Sequence, residues 1–195
     1  MASASSTVRV TLNNERRFFS ATALAGLAIT LIGFAPTWFL MNWFGAPPLP
    51  FMVHVHGLLF TGWVLLYLTQ TSLIAAGRRD LHQNLGIVGI AFGAAMIVLG
   101  VVLSIEGARR GVGGPERDQL AFIINPLTNI VMFAGLLAAA ISQRKRSPYH
   151  KRLMLLGTIT LLDAPIARWF LIFLAPPVPA GEIAPPPPPF ITIPP

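Results

Sequence analysis

Four histidines stand out in a chain whose other residues are mostly apolar. His54 and His56 sit two apart in "HVHGLLFTGW". His82 opens "HQNLGIVG" and His150 opens "HKRLMLLG". Imidazole is the commonest protein ligand for zinc, copper, nickel and iron, so the question is which of these rings can share one centre. The contexts of His82 and His150 match: both have Leu three residues on and Gly seven residues on. The two segments therefore read as copies of one hairpin. The chain has no cysteine, which excludes disulfides, thiolate metal sites and covalent haem attachment through Cys.

Helical spacing separates the two pairs. At about 100° per residue, His82, Gly89, Gly93 and Gly100 fall on one stripe, and so do His150, Gly157 and Arg168. A glycine groove admits either a neighbouring helix or a flat ligand such as haem, and an arginine on such a face suits a propionate or other carboxylate. His82 and His150 share one depth on two different helices, as bis-imidazole ligation requires. Boundary residues at the headgroups are the competing reading. His54 and His56 lie about 200° apart on a regular helix, so they converge on one metal only if that helix starts irregularly after Pro50. His56 shares its face with Trp63, Tyr67 and Gln70. Further polar groups fall at membrane depth: Asn125 and Asn129, one turn apart beside Pro126, with Asp163 and Arg168 in "LLDAPIARWF". An intramembrane carboxylate costs about 2.5–3.5 kcal/mol and must face a partner or water. With His56 these four form an expected polar pocket for a proton, a metal or a headgroup; bonds that merely hold neighbouring spans together are the alternative.

The elements that carry these residues are membrane spans. The 195 residues are 54% hydrophobic and 11% charged, against about 25% charged in an ordinary soluble domain. Five apolar blocks, 18–44, 51–76, 84–105, 119–142 and 151–175, each approach the ~20 residues that cross a bilayer. Only helices fit, because open strands leave backbone groups unsatisfied in lipid. The fold class is thus an all-α integral membrane bundle of about five spans, preceded by a polar arm (1–17) and followed by a Pro-rich extended tail (176–195). That tail favours polyproline II. The abrupt stop after an apolar stretch leaves a sixth span open.

The net charge of +7 does not point to nucleic acid, since the basic residues are grouped between apolar blocks. Arg9, Arg16, Arg17, Arg78, Arg79, Arg144, Lys145, Arg146, Lys151 and Arg152 fall on one side, ten of the fourteen. That side is expected in the cytoplasm, with the N-terminus, in a bacterial inner membrane. No Ser-His-Asp order, di-iron cluster or phosphate loop is present, so an enzyme is the weaker expectation.

The stretches "HVHGLLFTGWVLLYLTQTSLIAAGRRDLHQNLG" and "HKRLMLLGTITLLDAPIARW" resemble an uncharacterised family of small bacterial multi-pass membrane proteins. That family carries a His-x-His span, a Leu-His-x-x-Leu-Gly hairpin and a His-Lys-Arg-Leu-Met span start. The resemblance covers roughly residues 20–175. It extends more distantly to His-rich membrane proteins of cytochrome oxidase assembly and to b-type cytochromes. It implies His54, His56, His82 and His150 as candidate ligands of haem b or a transition metal, in electron transfer or redox-complex assembly. The outer histidines depart from the b-cytochrome pattern, because they share one helix. The other function expected is an accessory subunit of a larger respiratory or photosynthetic membrane complex, docked through the arm and the tail.

Overall fold

The computed structural model describes residues 2–46, 48–109 and 116–174, and all regular structure within them is helical. The chain runs α1 (Ala2–Phe34), a π-helical turn (Ala35–Phe39), α2 (Phe51–Ala75), α3 (Arg79–Arg109), α4 (Glu116–Ser142), α5 (Ser147–Thr160) and α6 (Asp163–Leu174). Four stretches are long and apolar enough to cross a membrane: Asn13–Phe39, Phe51–Ala75, Arg79–Arg109 and Ile123–Ser142. α5 and α6 together make a fifth, bent by 45°. The Pro-rich segment 176–195 lies outside the described residues. The polar arm is no separate extended element: α1 begins at Ala2 and runs unbroken into the first span.

Prolines set the two irregularities. Pro36 lacks the N–H that an α-turn needs, and the ladder there widens so that Leu40 N–H donates to Ala35 O at 2.8 Å, five residues back. Pro165 would drive its ring into the carbonyl of Leu161, so the expected single span 151–175 breaks just before it. At the break, Leu161 and Leu162 donate three residues back, to Thr158 and Ile159, in tightened turns. Asp163 then begins α6.

The helices close into a ring, with α1 beside α2, α2 beside α3, α3 beside α4, α4 beside α5, and α6 returning to α1. The core inside the ring is Trp63, Met96, Phe133 and Leu137, with Trp63 and Phe133 edge to face at 5.0 Å. Trp63 also donates to Thr158 Oγ1 at 3.3 Å, tying α2 to α5 across the middle. The glycine stripe of α3 is the seat of this packing. A Cβ at Gly93 would lie 2.5 Å from Leu137, and one at Gly100 2.7 Å from Ile130. The stripe thus receives side chains of neighbouring helices, which settles the groove's use in favour of helix packing along that length.

Two ends follow from the topology. The basic end holds the α2–α3 and α4–α5 hairpins, with Arg78, Arg79, Arg144, Lys145 and Arg146. There Lys151 also pairs with Glu15 and lies over the Phe19 ring at 5.6 Å, joining α5 to α1. The aromatic end holds the α1–α2 connection, with Trp38, Trp43, Phe44 and Phe51.

Candidate functional site

At the basic end, two hairpins deliver two imidazoles to one place. α2 stops in a Schellman motif: Gly77, at φ +77°, lets its own N–H reach Ile74 O and the Arg78 N–H reach Leu73 O at 2.8 Å. α3 starts directly, and His82 N–H donates to Arg78 O in its first turn. The α4–α5 hairpin repeats the arrangement. Pro148 lies in the first turn of α5, where its missing N–H costs nothing, and His150 N–H donates to Arg146 O. The two ring centres are 6.3 Å apart, with the planes crossing at 82°. Metal–nitrogen bonds of about 2.0 Å, with each nitrogen about 1.1 Å from its ring centre, put imidazoles that share one ion from about 5 Å apart, centre to centre, in a tetrahedral arrangement to a little over about 6 Å in a linear one. The observed spacing lies at the linear end.

His150 is already oriented as a ligand. Its Nδ1 lies 2.8 Å from Ala140 O, and a carbonyl can only accept, so Nδ1 carries the proton and Nε2 keeps its lone pair. Ala140 O is available because the helix ends there: Arg144 N–H turns to Ile141 O instead. The same bond therefore caps α4 and fixes the tautomer, as the outer hydrogen bond of a metal-bound histidine does. His82 is half-buried, and its Nδ1 is buried without a partner. Two side chains of α2 are in the same condition: the Tyr67 hydroxyl and Gln70 Oε1 are buried and unpaired. Gln70 faces the third helix one turn beyond His82, since a Cβ at Gly86 would sit 3.8 Å from its Nε2. Buried polar atoms without partners are uncommon, and each of these calls for a water or an ion as its partner. Among the described residues, no third His, Cys, Asp or Glu joins the pair. A metal held here could take two imidazoles from the described residues, and any further coordination positions would have to be filled by something else.

The aromatic end does not repeat this. α2 is regular from Phe51, with Pro50 just before it, so His54 and His56 point to different sides. His54 Nδ1 accepts from Trp38 Nε1 at 3.2 Å, whereas His56 stacks on Phe60 at 4.0 Å and leaves its Nδ1 buried and unpaired. The helix start shows none of the irregularity that a shared metal required.

The expected polar pocket divides in two. Asn125 and Asn129 both donate to Asp163 Oδ2, each at 3.0 Å, and Asp163 and Asn125 are exposed on the outside of the ring between α4 and α6. His56 and Arg168 lie apart from them, where α1, α2 and α6 meet. Arg168 donates to Thr37 Oγ1 at 2.7 Å and its guanidinium lies 4.7 Å from the Phe34 ring. Five residues turn Asp163 and Arg168 about 140° from each other on α6. Arg168 is also eighteen residues beyond His150, roughly 27 Å of helix, and Trp63 with Thr158 lies between them. It is out of reach of any group held by the inner pair.

Three features had no direct sequence signal or only a weak one. Gln70 lies against α3 one turn beyond His82, and Tyr67 is buried one turn back along α2; the face both share with His56 was the hint. Thr37, the partner of Arg168, is 131 residues away. Trp38 as the partner of His54 likewise joins two spans. The chain matches no protein-family model, no curated protein and no solved structure, so its functional reading rests on these residues.

Proposed function

We propose that this is an integral protein of the bacterial inner membrane, basic end in the cytoplasm, which holds one transition-metal ion, bare or as the iron of a haem b, between His82 and His150. The role would be electron transfer or the assembly of a redox complex. The observation that carries the reading is the 6.3 Å separation of two imidazoles on different helices, one of them with its tautomer fixed by Ala140 O. The unpaired His82 Nδ1 and the unpaired Gln70 Oε1 near it add support. The 6.3 Å spacing of the ring centres is compatible with a bare ion held by both. A haem satisfies the same two ligands and supplies the remaining four nitrogens, but its macrocycle has to enter from the basic end, because the stripe from Gly93 to Gly100 is filled.

The test is metal analysis with an absorption spectrum on the purified chain. About one equivalent of metal, or a Soret band, that disappears in His82→Ala and in His150→Ala is the expected result. A pure, folded protein with neither after reconstitution with copper, zinc and haem would refute the proposal.

A second reading, an accessory subunit of a larger membrane complex, is favoured by the exposed Asp163 cluster. A carboxylate on the outer wall of a bundle at mid-span is costly against lipid. A neighbouring subunit that covers it removes that cost. Co-purification with a complex in mild detergent, weakened by Asp163→Leu, is the expected outcome; a chain that migrates alone under all such conditions contradicts it.

A further inference from the structure

Among the described residues, the cation at the aromatic end has no counter-charge beside it. Arg168 uses one terminal nitrogen on Thr37 and rests against Phe34, while its Nε is buried with no partner. Among the described residues no carboxylate pairs with it, and Asp163 is held elsewhere by Asn125 and Asn129. His56 stands within electrostatic reach, with its Nδ1 buried and unpaired. Arg168 meets Thr37 directly. His56 lies on the α2 turn that packs against Trp38, where a Cβ at Gly57 would sit 2.6 Å from the Trp38 ring. Three polar groups with hydrogen-bonding capacity left over thus come from neighbouring turns of three elements. A buried guanidinium in this condition calls for an anion.

Depth and surroundings identify the anion. Thr37 is two residues from the end of the first candidate span at Phe39, and His56 is five residues from the start of the second at Phe51. The guanidinium therefore lies roughly one helical turn, about 5 Å, below that boundary. Helices of 27 and 25 residues are roughly 38–40 Å long against a hydrocarbon core of ~30 Å, so that depth falls near the glycerol edge of the core, within an arginine side chain's reach of the phosphates. The rim is aromatic, as at a membrane interface: Trp43 is 87% exposed and Phe51 78%. Beside Thr37, residues Trp38–Trp43 line an open hollow of about 570 Å³. The guanidinium presents a fork that matches two phosphate oxygens. Thr37 accepts from Arg168 through its oxygen and keeps its own O–H to donate, and His56 Nδ1 can donate a third bond.

We propose that Arg168, Thr37 and His56 bind the phosphodiester of an anionic phospholipid from the leaflet at the aromatic end. The site is separate from the inner histidine pair and stands whether or not that pair holds a metal.

Native mass spectrometry of the full chain, released from mixed micelles, tests this with phosphatidylglycerol and phosphatidylcholine of the same acyl chains. The wild-type chain is expected to retain one phosphatidylglycerol in preference to phosphatidylcholine. Arg168→Gln should cut that preference roughly tenfold or more, since it removes charged hydrogen bonds. Arg168→Lys, which keeps the charge without the fork, should keep part of it, and Thr37→Val should lower it a few-fold. Circular dichroism and size exclusion verify that each variant is folded. Should Arg168→Gln prove unfolded, Thr37→Val and Arg168→Lys decide. Equal retention of the two lipids by the wild-type chain, or undiminished preference in the folded variants, would overturn the site. Displacement of the lipid by millimolar inorganic phosphate would overturn the lipid assignment in favour of a free anion.

Discussion

Each end of the bundle carries two histidines, and the ends differ in what that makes possible. At the aromatic end the pair is two residues apart in sequence, yet one helix aims the rings in different directions and each has its own neighbour: Trp38 for His54, Phe60 for His56. At the basic end the pair is sixty-eight residues apart and the rings meet at 6.3 Å. The lesson is geometric. A helix cannot fold two adjacent side chains onto one point, whereas two helices that start at the same level can, provided their N-terminal turns are set alike. Here they are, by a Schellman stop before α3 and a proline start in α5. The ends also differ in charge. The basic end brings imidazoles together, and the aromatic end holds a buried guanidinium that pairs with no carboxylate among the described residues.

The largest expected effect divides the two ends directly. His82→Ala or His150→Ala should lower affinity for a bound transition metal by about 100-fold or more, while His54→Ala should leave it unchanged, as read by competitive metal titration. Loss of binding in His54→Ala as well would dissolve the distinction.

The tie between the ends comes next. Trp63→Ala removes a buried ring from the core and leaves the Thr158 hydroxyl without its donor. It should cost about 3–5 kcal/mol in reversible unfolding from detergent micelles. A cost near zero would mean that the middle of the bundle does not hold both ends in register.

The glycines sharpen the point at smaller scale. Gly93→Ala should destabilise by about 1–3 kcal/mol, because the new methyl meets Leu137. Gly135→Ala, where a Cβ meets nothing within 4 Å, should be neutral or stabilising by up to about 1 kcal/mol through helix propensity. Matching effects at the two positions would contradict the packing described for α3.

Smallest is the outer wall. Asn129→Leu should cost about 1 kcal/mol, and the cost should vanish in an Asp163→Leu background, because both amides serve the same oxygen. Additivity of the two changes would show that the hydrogen bonds contribute nothing.

Much of the architecture is legible in the sequence, for physical reasons that can be named. Span-length apolar blocks have one solution in lipid, so the helices and their approximate ends follow from composition. The common level of His82 and His150 follows from matching hairpin contexts. The break before Pro165 was not read from the sequence, where 151–175 stands as one span, and its 45° size depends on how α6 packs back on α1, where Gly33 meets Pro165. The grouping of the polar residues was not legible. His56, Asn125, Asn129, Asp163 and Arg168 lie at compatible depths, and depth alone suggests one pocket. Rotation about each axis decides otherwise, and the bend before Asp163 resets that rotation. The use of the glycine stripe was equally hidden, since a groove does not say what fills it; Leu137 and Ile130 arrive from α4 by tertiary packing.

X-ray absorption at the metal edge of the reconstituted chain examines the central claim most directly, because it counts imidazoles around the metal. The account predicts two histidine nitrogens at about 2.0 Å, falling to one in either His82→Ala or His150→Ala. A first shell of oxygen alone, or an imidazole count that neither substitution changes, would contradict it.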